Sequence, residues 1–563
     1  MESLKTFVEE HREAWEVPGC AMAIVKDDQV LLNEGFGLRN VEKNLPVTPT
    51  TLFAIGSTSK AFTAAAVAAM VDDGLIEWDT PVREYIPGFR LHDPVATERI
   101  APRDLLSHRT GLPRHEFSWM AHPERTRAEI VSRLRHLPLS KDIRQDFQYC
   151  NLGYVTAGYL VEVVTGMSWE EYVSTRLLKP LGMDQTNFSV LDSQRADDFS
   201  KPYERRQGSV VEVPYRVMDQ AGPAGGINST TTDMIAWVRT SLSSDETAEG
   251  QVIAPDTLRR MQSAQMVFPG DRTFPERDYY AYGLGWLIGH YRGHRLVEHG
   301  GGIDGFLTEL MLLPEEGIGV VVLTNSTTSV LGRVIAYRAL DDLLGLDPIP
   351  WHDRFKERYD AAEGGMKEAR EAAARVDAPL QRPLEAYAGV YEHPGYGAFT
   401  ITLEDGRLVP GFGTLRIQLT HRHFDVFDLE WRELGEDVEI FPLTFQTGPE
   451  GDVVALTIPF EPSVDPIRFE LQADPRGRDP ELLPTLTGTY VMGPIELTVS
   501  LKAESTLTIA TEGGPSTELV PGRGLRFSVK ESARTTVEFV LSSDGSVEKV
   551  IVQPEGVFVP KKE

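Results

Sequence analysis

The sequence has few cysteines, more acidic than basic residues and no long apolar run, and each shortage excludes a class of protein. Two cysteines, Cys20 and Cys150, in 563 residues are too few for a disulfide framework. The CxxC and HExxH spacings of zinc sites are absent, and we expect neither a metal nor an organic cofactor. Lys and Arg number 56 and Asp and Glu 84, and this net charge of −28 argues against a nucleic-acid partner, which needs clustered positive charge.

Signals for a membrane or for secretion are also missing. No apolar stretch reaches the length that spans a bilayer, so we expect no membrane contact. The chain opens on an amphipathic helix pattern rather than on a basic segment followed by an apolar one, so no secretory signal is indicated. These absences predict a cytoplasmic protein. The hydrophobic fraction of 41% is enough for sizeable cores, and the length suggests about three or four domains.

Strand-like segments lie at both ends of residues 1–345 and enclose many helical ones. Cys20–Val25 and Val30–Gly35 have the pattern of a hairpin, and Ala61–Val71 is apolar all round, as in a buried helix. Three later segments have the composition of antiparallel strands: Arg295–Glu298, Leu307–Leu313 and Gly319–Leu323. Early and late strands that share one sheet predict an α/β sandwich, an antiparallel sheet flanked by helices with a helical subdomain.

The rest of the chain changes character. Residues 346–382 are polar, charged and helical in pattern, which favours a linker. Residues 383–475 and 476–563 alternate apolar and polar positions between Gly-rich turns, and they open on similar sequences, YAGVY and LTGTY. We predict two small all-β, barrel-like domains. Such domains either hold a ligand or serve as packed accessory or dimerisation domains.

Ser57 and Lys60 form an SxxK motif at the start of the buried helix. A spacing of three residues places the Ser hydroxyl and the Lys amine on one helix face. The helix N-terminus favours a developing oxyanion, whereas its dipole and burial disfavour a charged Lys, which can then accept the Ser proton. Alone the motif is weak, because chance yields about one match in such a chain and an N-cap Ser with a solvated Lys looks the same. The apolar run after Lys60 favours the catalytic interpretation.

Two further motifs carry groups suited to the same chemistry. In Tyr149-Cys150-Asn151 the Tyr hydroxyl can relay a proton to a leaving group, and the Asn amide can fix the Lys and a substrate carbonyl. Taken alone, these are equally a packed loop Tyr and a helix-capping Asn. In His299-Gly300-Gly301-Gly302 the glycines let a substrate approach a strand edge, and the N–H groups of Gly302 and Ser57 could form an oxyanion hole.

The three motifs, in this order, resemble the active site of penicillin-recognising serine hydrolases, above all the class C β-lactamase-like peptidases and esterases. The segments 105–113, 154–186, 224–229 and 282–286 agree, so the resemblance covers about residues 1 to 345. It implies a two-subdomain α/β fold and an acyl-enzyme mechanism. The C-terminal domains are similar to the lipocalin-like barrels of D-aminopeptidase-type members. The site residues implied are Ser57, Lys60 and Tyr149 as catalytic groups, with Asn151, His299, Gly301 and Gly302 around substrate and oxyanion.

Position 299 departs from the pattern of this family, whose classical members have a Lys there. A His with a pKa of about 6.5 is mostly neutral at pH 7 and binds a carboxylate less strongly. A counterpart of the hydrolytic Glu of class A enzymes is not visible either. We therefore expect weak or no β-lactamase activity. His299 could instead line the pocket or polarise Tyr149.

Residues beside the motifs have plainer interpretations. We interpret His108 as a structural loop residue with satisfied hydrogen bonds and Cys150 as a packing residue rather than a nucleophile. Asp304 is either a turn residue or a group that meets a substrate ammonium. The stretch Gly300–Gly305 matches a dinucleotide fingerprint, which we reject because a strand rather than a helix follows it.

The sequence thus predicts a serine hydrolase that cleaves amide or peptide bonds of small substrates, with D-residue-containing peptides as a favoured class. An esterase or acyltransferase uses the same acyl-enzyme and stays an alternative. A non-catalytic ligand-binding protein is the third hypothesis, against which the intact Ser57, Lys60 and Tyr149 argue. The expected partner is a small-molecule or peptide substrate, and homo-oligomerisation through the β domains is a further candidate.

Overall fold

The computed structural model describes residues 1–561 except 207, 244–251, 271–272, 328, 373–377, 432–438, 450, 504 and 531. Residues 1–344, here called the N-terminal region, contain thirteen described strands. These are β1 (Gly19–Lys26), β2 (Gln29–Asn40), β3 (Leu45–Pro46), β4 (Phe53–Ala54), β5 (Tyr203–Arg206), β6 (Ser209–Glu212), β7 (Asn228–Ser229), β8 (Met266–Val267), β9 (Arg277–Tyr282), β10 (Leu287–Tyr291), β11 (His294–Ile303), β12 (Phe306–Leu313) and β13 (Ile318–Thr324).

The helices of this region lie mostly between β4 and β8. They are α1 (Glu2–Ala14), α2 (Ser59–Asp72), α3 (Val82–Tyr85), α4 (Pro94–Arg99), α5 (Pro102–Leu106), α6 (Phe117–Met120), α7 (Arg127–Arg133), α8 (Asn151–Thr165), α9 (Trp169–Val173), α10 (Lys179–Leu181), α11 (Val190–Ser193), α12 (Gly222–Gly225), α13 (Thr231–Leu242), α14 (Pro255–Met261) and α15 (Leu331–Leu344). Among the described residues, no helix is both long and apolar enough to cross a membrane.

The two ends of the N-terminal region form one antiparallel sheet, as the sequence predicts. Its nine strands follow the order β3-β2-β1-β13-β12-β11-β10-β9-β8, and β1 pairs with β13 from Cys20 opposite Thr324 to Lys26 opposite Ile318. Alternate residues of β1 enter two different cores: Ala21 and Ala23 face one, and Cys20, Met22 and Ile24 face the other. Both faces of the sheet are therefore buried, which explains the continuous apolar run of β1.

The glycine run differs from the expectation that a strand ends at Glu298. Strand β11 continues through Gly300, Gly301 and Gly302 to Ile303, and Gly302 pairs with Leu307 of β12. The pairing of β11 with β10 stops at Glu298, opposite Leu287. The glycines therefore pair with β12 on one side, and on the other side they lie beyond the last residue of β11 that pairs with β10.

Two eight-stranded β units follow. The first barrel consists of β14 (Gly389–His393), β15 (Gly397–Glu404), β16 (Arg407–Phe412), β17 (Ile417–His423), β18 (Val426–Trp431), β19 (Glu439–Thr447), β20 (Val453–Ile458) and β21 (Ile467–Leu471), in the sheet order β16-β15-β14-β21-β20-β19-β18-β17. The second barrel is closed and consists of β22 (Gly488–Met492), β23 (Ile495–Ala503), β24 (Thr506–Thr511), β25 (Thr517–Pro521), β26 (Arg526–Val529), β27 (Ser532–Leu541), β28 (Val547–Gln553) and β29 (Gly556–Pro560). The predicted fold class, a sheet-and-helix region followed by two barrel-like domains, is confirmed.

The helix α16 (Trp351–Ala372) lies where a polar linker helix is predicted. Its first turns are docked rather than free. Trp351 is buried, and Phe355 and Tyr359 pack against the same core as α1 and α15. These three residues recur at intervals of four, so they share one helix face, and this apolar face explains the docking.

Candidate active site

Ser57 and Lys60 are brought together at the start of α2. The single turn Gly56–Thr58 leads directly into the helix, and Lys60 Nζ lies 3.0 Å from Ser57 Oγ. The same Nζ donates a hydrogen bond of 2.6 Å to the carbonyl of Ala224. Burial lowers the pKa of Lys60 to about 7, against the opposing charge of Glu116. A neutral amine that can accept the Ser57 proton is therefore well populated near pH 7.

Tyr149 faces the same pair. Its ring centre lies 4.9 Å from Lys60 Nζ, and its hydroxyl interacts with the Ser57 side chain. Burial raises the pKa of Tyr149, and the interaction with Ser57 opposes this shift without cancelling it. The hydroxyl therefore keeps its proton at neutral pH. It can pass that proton on, whereas Lys60 is the group able to take one.

The glycine strand passes unusually close to the Ser57 turn. A Cβ on Gly56 would come within 2.8 Å of the backbone nitrogen of Gly302, and a Cβ on Gly301 would come within 1.9 Å of the Ile55 carbonyl oxygen. Gly56 also has a φ of +50°. These positions require glycine for space and, at Gly56, for backbone conformation as well. The approach places the backbone nitrogen of Gly302 beside the turn that carries Ser57.

His299 lies behind this strand edge and is 2% exposed. Its Nδ1 donates to the Gly300 carbonyl at 2.6 Å, so its Nε2 accepts the hydroxyl proton of Tyr282 at 2.8 Å. Burial and the nearby Lys60 lower the pKa of His299 to about 4. The imidazole is therefore neutral near pH 7. Its ring centre lies 6.4 Å from that of Tyr149, so the two rings are neighbours.

Asn151 is the first residue of α8, directly after the Tyr149 segment. Its Nδ2 donates to Glu116 Oε1 at 2.9 Å, and among the described residues its buried Oδ1 has no hydrogen-bond partner. The expected hydrogen bond between Asn151 and Lys60 is not formed among the described residues, because Lys60 Nζ donates to Ser57 and Ala224 instead.

His108 is less satisfied than the sequence interpretation expects. Its Nδ1 accepts the N–H of Cys150 at 3.0 Å, but its buried Nε2 has no partner among the described residues. The ring lies 4.2 Å from the Tyr149 ring, and burial lowers the pKa of His108 well below its usual value. His108 is thus a neutral packing group against Tyr149.

Cys150 and Asp304 are both engaged elsewhere. Cys150 is buried, its Sγ donates to the Pro113 carbonyl at 3.2 Å, and burial raises its pKa to about 12, so it is no thiolate. Asp304 accepts a 2.6 Å hydrogen bond from Arg216 Nε and forms an ion pair with it. Its carboxylate therefore already has an arginine partner inside the protein.

Two charged side chains near the site, Arg114 and Glu116, were not predicted from the sequence. Arg114 Nε donates to Glu116 Oε1 at 2.9 Å, and its guanidinium lies 5.4 Å from the Tyr149 ring centre. The available signal was a short charged stretch between the Pro113 turn and the apolar run from Phe117. Among the described residues, no three His, Cys, Asp or Glu side chains are grouped so as to hold a metal ion.

Comparison with known proteins identifies the families to which the parts of this chain are similar. A family model for beta-lactamase matches residues 4–344, and a model for a domain of unknown function (DUF3471) matches residues 373–471. The chain is 32% identical over 492 residues to the unguisins hydrolase ungD' of Aspergillus campestris (strain IBT 28561), covering 81% of this chain and 89% of that one.

Two solved structures share the fold. The octameric penicillin-binding protein homologue from Pyrococcus abyssi has a TM-score of 0.56 at 24% identity, covering 92% of this chain and 99% of that one. The D-amino acid amidase from Ochrobactrum anthropi SV3, in complex with L-phenylalanine amide, has a TM-score of 0.50 at 23% identity, covering 61% and 97%. The match to residues 4–344 and the 32% identity decide the family. This chain belongs to the beta-lactamase family and is a serine hydrolase of that fold.

Proposed function

We propose that the chain hydrolyses amide or peptide bonds of small substrates through an acyl intermediate on Ser57. One observation carries the proposal: Lys60 Nζ lies 3.0 Å from Ser57 Oγ and has a pKa of about 7. A base with a pKa near the working pH combines an available neutral form with a useful proton affinity. A Lys base beside a Ser hydroxyl therefore supports nucleophilic catalysis rather than ligand binding alone.

In the acylation step, Lys60 accepts the Ser57 proton while Oγ attacks the substrate carbonyl carbon. The N–H groups of Ser57 and Gly302 donate to the oxyanion that forms, because the two backbone segments lie side by side. The C–N bond then breaks, and Tyr149 passes its hydroxyl proton to the leaving amine. Lys60 returns a proton to Tyr149, so the balance of protons closes.

Deacylation reverses these roles with water as the nucleophile. Water adds to the acyl carbonyl and gives its proton to Lys60 through the neighbouring hydroxyl of Tyr149. The acyl–oxygen bond to Ser57 breaks, Oγ recovers a proton, and the free acid leaves. An alcohol in place of water would give acyl transfer by the same steps.

Among substrates, we favour small amides or peptides with an amino group near the scissile carbonyl. Glu116 supplies a carboxylate beside Asn151. Its Oε1 already accepts from Arg114 and Asn151, so we propose that its second oxygen, Oε2, meets an ammonium group of the substrate. The relatives support this class, since one is named an unguisins hydrolase and one solved neighbour a D-amino acid amidase. Neutral His299 offers no cation for the carboxylate of a β-lactam, so we propose weak or no β-lactamase activity.

Reaction with a serine-directed fluorophosphonate, read by intact mass, tests the nucleophile. We expect one adduct on the wild-type protein and none on Ser57→Ala, because Oγ is the activated hydroxyl. An equal adduct on both proteins, or none on the wild type, would rule out Ser57 as the nucleophile and favour the binding-protein hypothesis.

A substrate panel then tests the bond that is cleaved. It contains D- and L-aminoacyl p-nitroanilides, p-nitrophenyl esters and a chromogenic cephalosporin. We expect the anilides to be cleaved and the cephalosporin to be almost inert. Turnover of esters with inert anilides would replace the amidase proposal by the esterase one.

We also propose that the chain self-associates through its β domains. One solved neighbour is described as octameric, and both barrels are present here as folded units. Light scattering after size-exclusion chromatography should give a mass that is a multiple of 62.6 kDa. A strictly monomeric mass at micromolar concentration would contradict this proposal.

A further inference from the structure

The segment Arg114–Phe117 lies between the catalytic residues and the first barrel. Arg114 and Glu116 turn to the active site, where they contact the Tyr149 ring and the Asn151 amide. The two other residues of the segment, His115 and Phe117, contact the barrel. Alternate side chains of one short segment therefore join two separate parts of the molecule.

His115 is held by three polar contacts. Its Nε2 donates to the Pro138 carbonyl at 2.9 Å, so its Nδ1 accepts the hydroxyl proton of Tyr396 at 2.8 Å. Its backbone N–H donates to Glu461 Oε2 at 3.1 Å. His115 and Tyr396 are both fully buried, and Glu461 is 6% exposed. Two of the three contacts come from the first barrel.

Phe117 anchors the same segment by packing. Its ring is stacked on that of Phe460 at 4.5 Å between centroids and meets the edge of Trp431 at 5.1 Å. Phe441 adds a further edge contact at 5.3 Å. Aromatic contacts of this kind fix position as well as burying area, so the segment has little freedom to shift against the barrel.

Trp431 also reaches the opposite side of the site. The guanidinium of Arg216 lies 5.9 Å from the Trp431 ring centre, and Arg216 Nε donates to Asp304. Asp304 directly follows Ile303, the last residue of the strand that carries Gly302. The first barrel therefore contacts both the Glu116 side and the glycine-strand side of the active site.

We propose that the first barrel, which matches a domain of unknown function, is a specificity-determining part of the active site. It holds Arg114–Phe117 so that Glu116 stays against Asn151 and meets the amino group of the substrate. Tyr396 and Glu461 are the positioning residues. This proposal rests on the proposed amide hydrolysis at Ser57, but it concerns substrate recognition rather than the nucleophile.

The alternative is a barrel that only stabilises its neighbour, and the chain offers a matched control. Tyr396 and Tyr391 are both fully buried tyrosines of the first barrel. The Tyr396 hydroxyl contacts His115, whereas the Tyr391 hydroxyl donates to the Tyr387 carbonyl inside the barrel at 2.8 Å. Replacing either by Phe removes one buried hydroxyl, but only Tyr396→Phe frees the segment next to Glu116.

The experiment uses the full chain and three variants: Tyr396→Phe, Glu461→Gln and the control Tyr391→Phe. In Glu461→Gln the amide nitrogen cannot accept, so a bond to His115 or Ser463 is lost. Each protein is tested for fluorophosphonate labelling rate, for KM and kcat with an aminoacyl p-nitroanilide (or the aminoacyl ester, should anilides be inert), and with p-nitrophenyl acetate.

For Tyr396→Phe and Glu461→Gln we expect KM for the aminoacyl substrate to rise about tenfold while kcat changes less than about twofold. Labelling and acetate hydrolysis should stay within about twofold of the wild type, because neither reagent has an amino group for Glu116 to bind. Tyr391→Phe should leave all values near those of the wild type. Circular dichroism melting identifies a variant that fails to fold. If Tyr396→Phe does not fold, the KM of Glu461→Gln tests the proposal.

Several outcomes would overturn the proposal. Equal effects of Tyr396→Phe and Tyr391→Phe would assign the barrel a stabilising role alone. A parallel fall of labelling and of turnover with both substrates would do the same, as would unchanged KM in both test variants. Failure of the wild type to be labelled is a different result, because it removes the proposed function itself.

Discussion

At the scale of single residues, the pKa values of three side chains decide which of them gains or loses a proton near neutral pH. Burial lowers the pKa of Lys60 to about 7 and that of His299 to about 4, and it raises the pKa of Tyr149. One cause thus acts in opposite directions, because burial disfavours the charged form of each group. Of these three groups, Lys60 is the one that titrates near neutral pH.

The protonation of Lys60 should set the acidic limb of the pH profile. The neutral amine is the base, and its fraction rises with pH through a pKa of about 7. Below that pH, kcat/KM should therefore rise about tenfold per pH unit, and it should level off above it. Initial rates between pH 5 and 9 measure this limb. A flat profile would exclude Lys60 as the base.

Glu116→Gln should shift that limb to lower pH. The Glu116 charge raises the pKa of Lys60, so its removal lowers the pKa further and leaves more neutral amine at acidic pH. The position of the limb is measured with p-nitrophenyl acetate, which has no amino group to bind. A limb that stays in place would show that the Glu116 charge does not reach Lys60.

His299→Gln should leave the shape of the pH profile unchanged between pH 5.5 and 9. His299 is neutral throughout this range because its pKa is about 4, and a Gln oxygen can accept from the Tyr282 hydroxyl in its place. The variant should keep kcat/KM within about threefold of the wild type. Loss of the acidic limb in this variant would assign the titrating group to His299 instead of Lys60.

At the scale of elements, the site depends on how closely β11 approaches the turn before α2. A Cβ on Gly301 would overlap the Ile55 carbonyl oxygen, whereas a Cβ on Gly300 would meet the Thr308 carbonyl oxygen at 3.4 Å, an ordinary contact. Two neighbouring glycines of one strand thus differ sharply in the space around them. This difference makes them a matched pair for substitution.

Gly301→Ala should therefore lower fluorophosphonate labelling by about 100-fold, because a Cβ 1.9 Å from the Ile55 carbonyl must push the strand and the Ser57 turn apart. Gly300→Ala should stay within about fivefold of the wild type. Labelling rates and melting temperatures of both variants separate lost alignment from lost folding. Similar rates for the two variants would contradict the close-approach argument.

Local sequence patterns predicted the elements well because each depends on its own residues. The apolar run after Lys60 predicted α2, and alternation predicted the strands of both barrels. The contacts of Lys60 with Ala224 and of Asn151 with Glu116 join residues that are far apart in the chain. No local pattern records such contacts, so they could not be predicted from one sequence. The same holds for the orphaned His108 Nε2, which depends on the rings around it.

At the scale of the whole molecule, the two barrels differ in how they are joined to the rest. One continuous hydrophobic core includes α2 residues such as Phe62 and first-barrel residues such as Phe469. The second barrel has a core of its own, which contains Phe527. Its links to the first barrel include the ion pair between Arg526 and Asp452. We therefore expect the second barrel to unfold separately.

Phe527→Ala should lower only one calorimetric transition. Truncating a buried Phe costs about 3–5 kcal/mol, and here the cost falls on the core of the second barrel. Fluorophosphonate labelling should stay unchanged at temperatures above that transition. Phe469→Ala is the matched control, and it should lower the transition at which labelling is lost. A single transition that moves in both variants would contradict separate unfolding.

The pairing of Cys20 with Thr324 also has a consequence for synthesis of the chain. The partner strand of β1 leaves the ribosome about 300 residues later, which takes roughly 15–60 s at the usual rates of translation. During that time β1 can pair with β2 but presents an unpaired apolar edge, a surface prone to aggregation. We expect chaperone binding to nascent chains to persist until β13 has emerged.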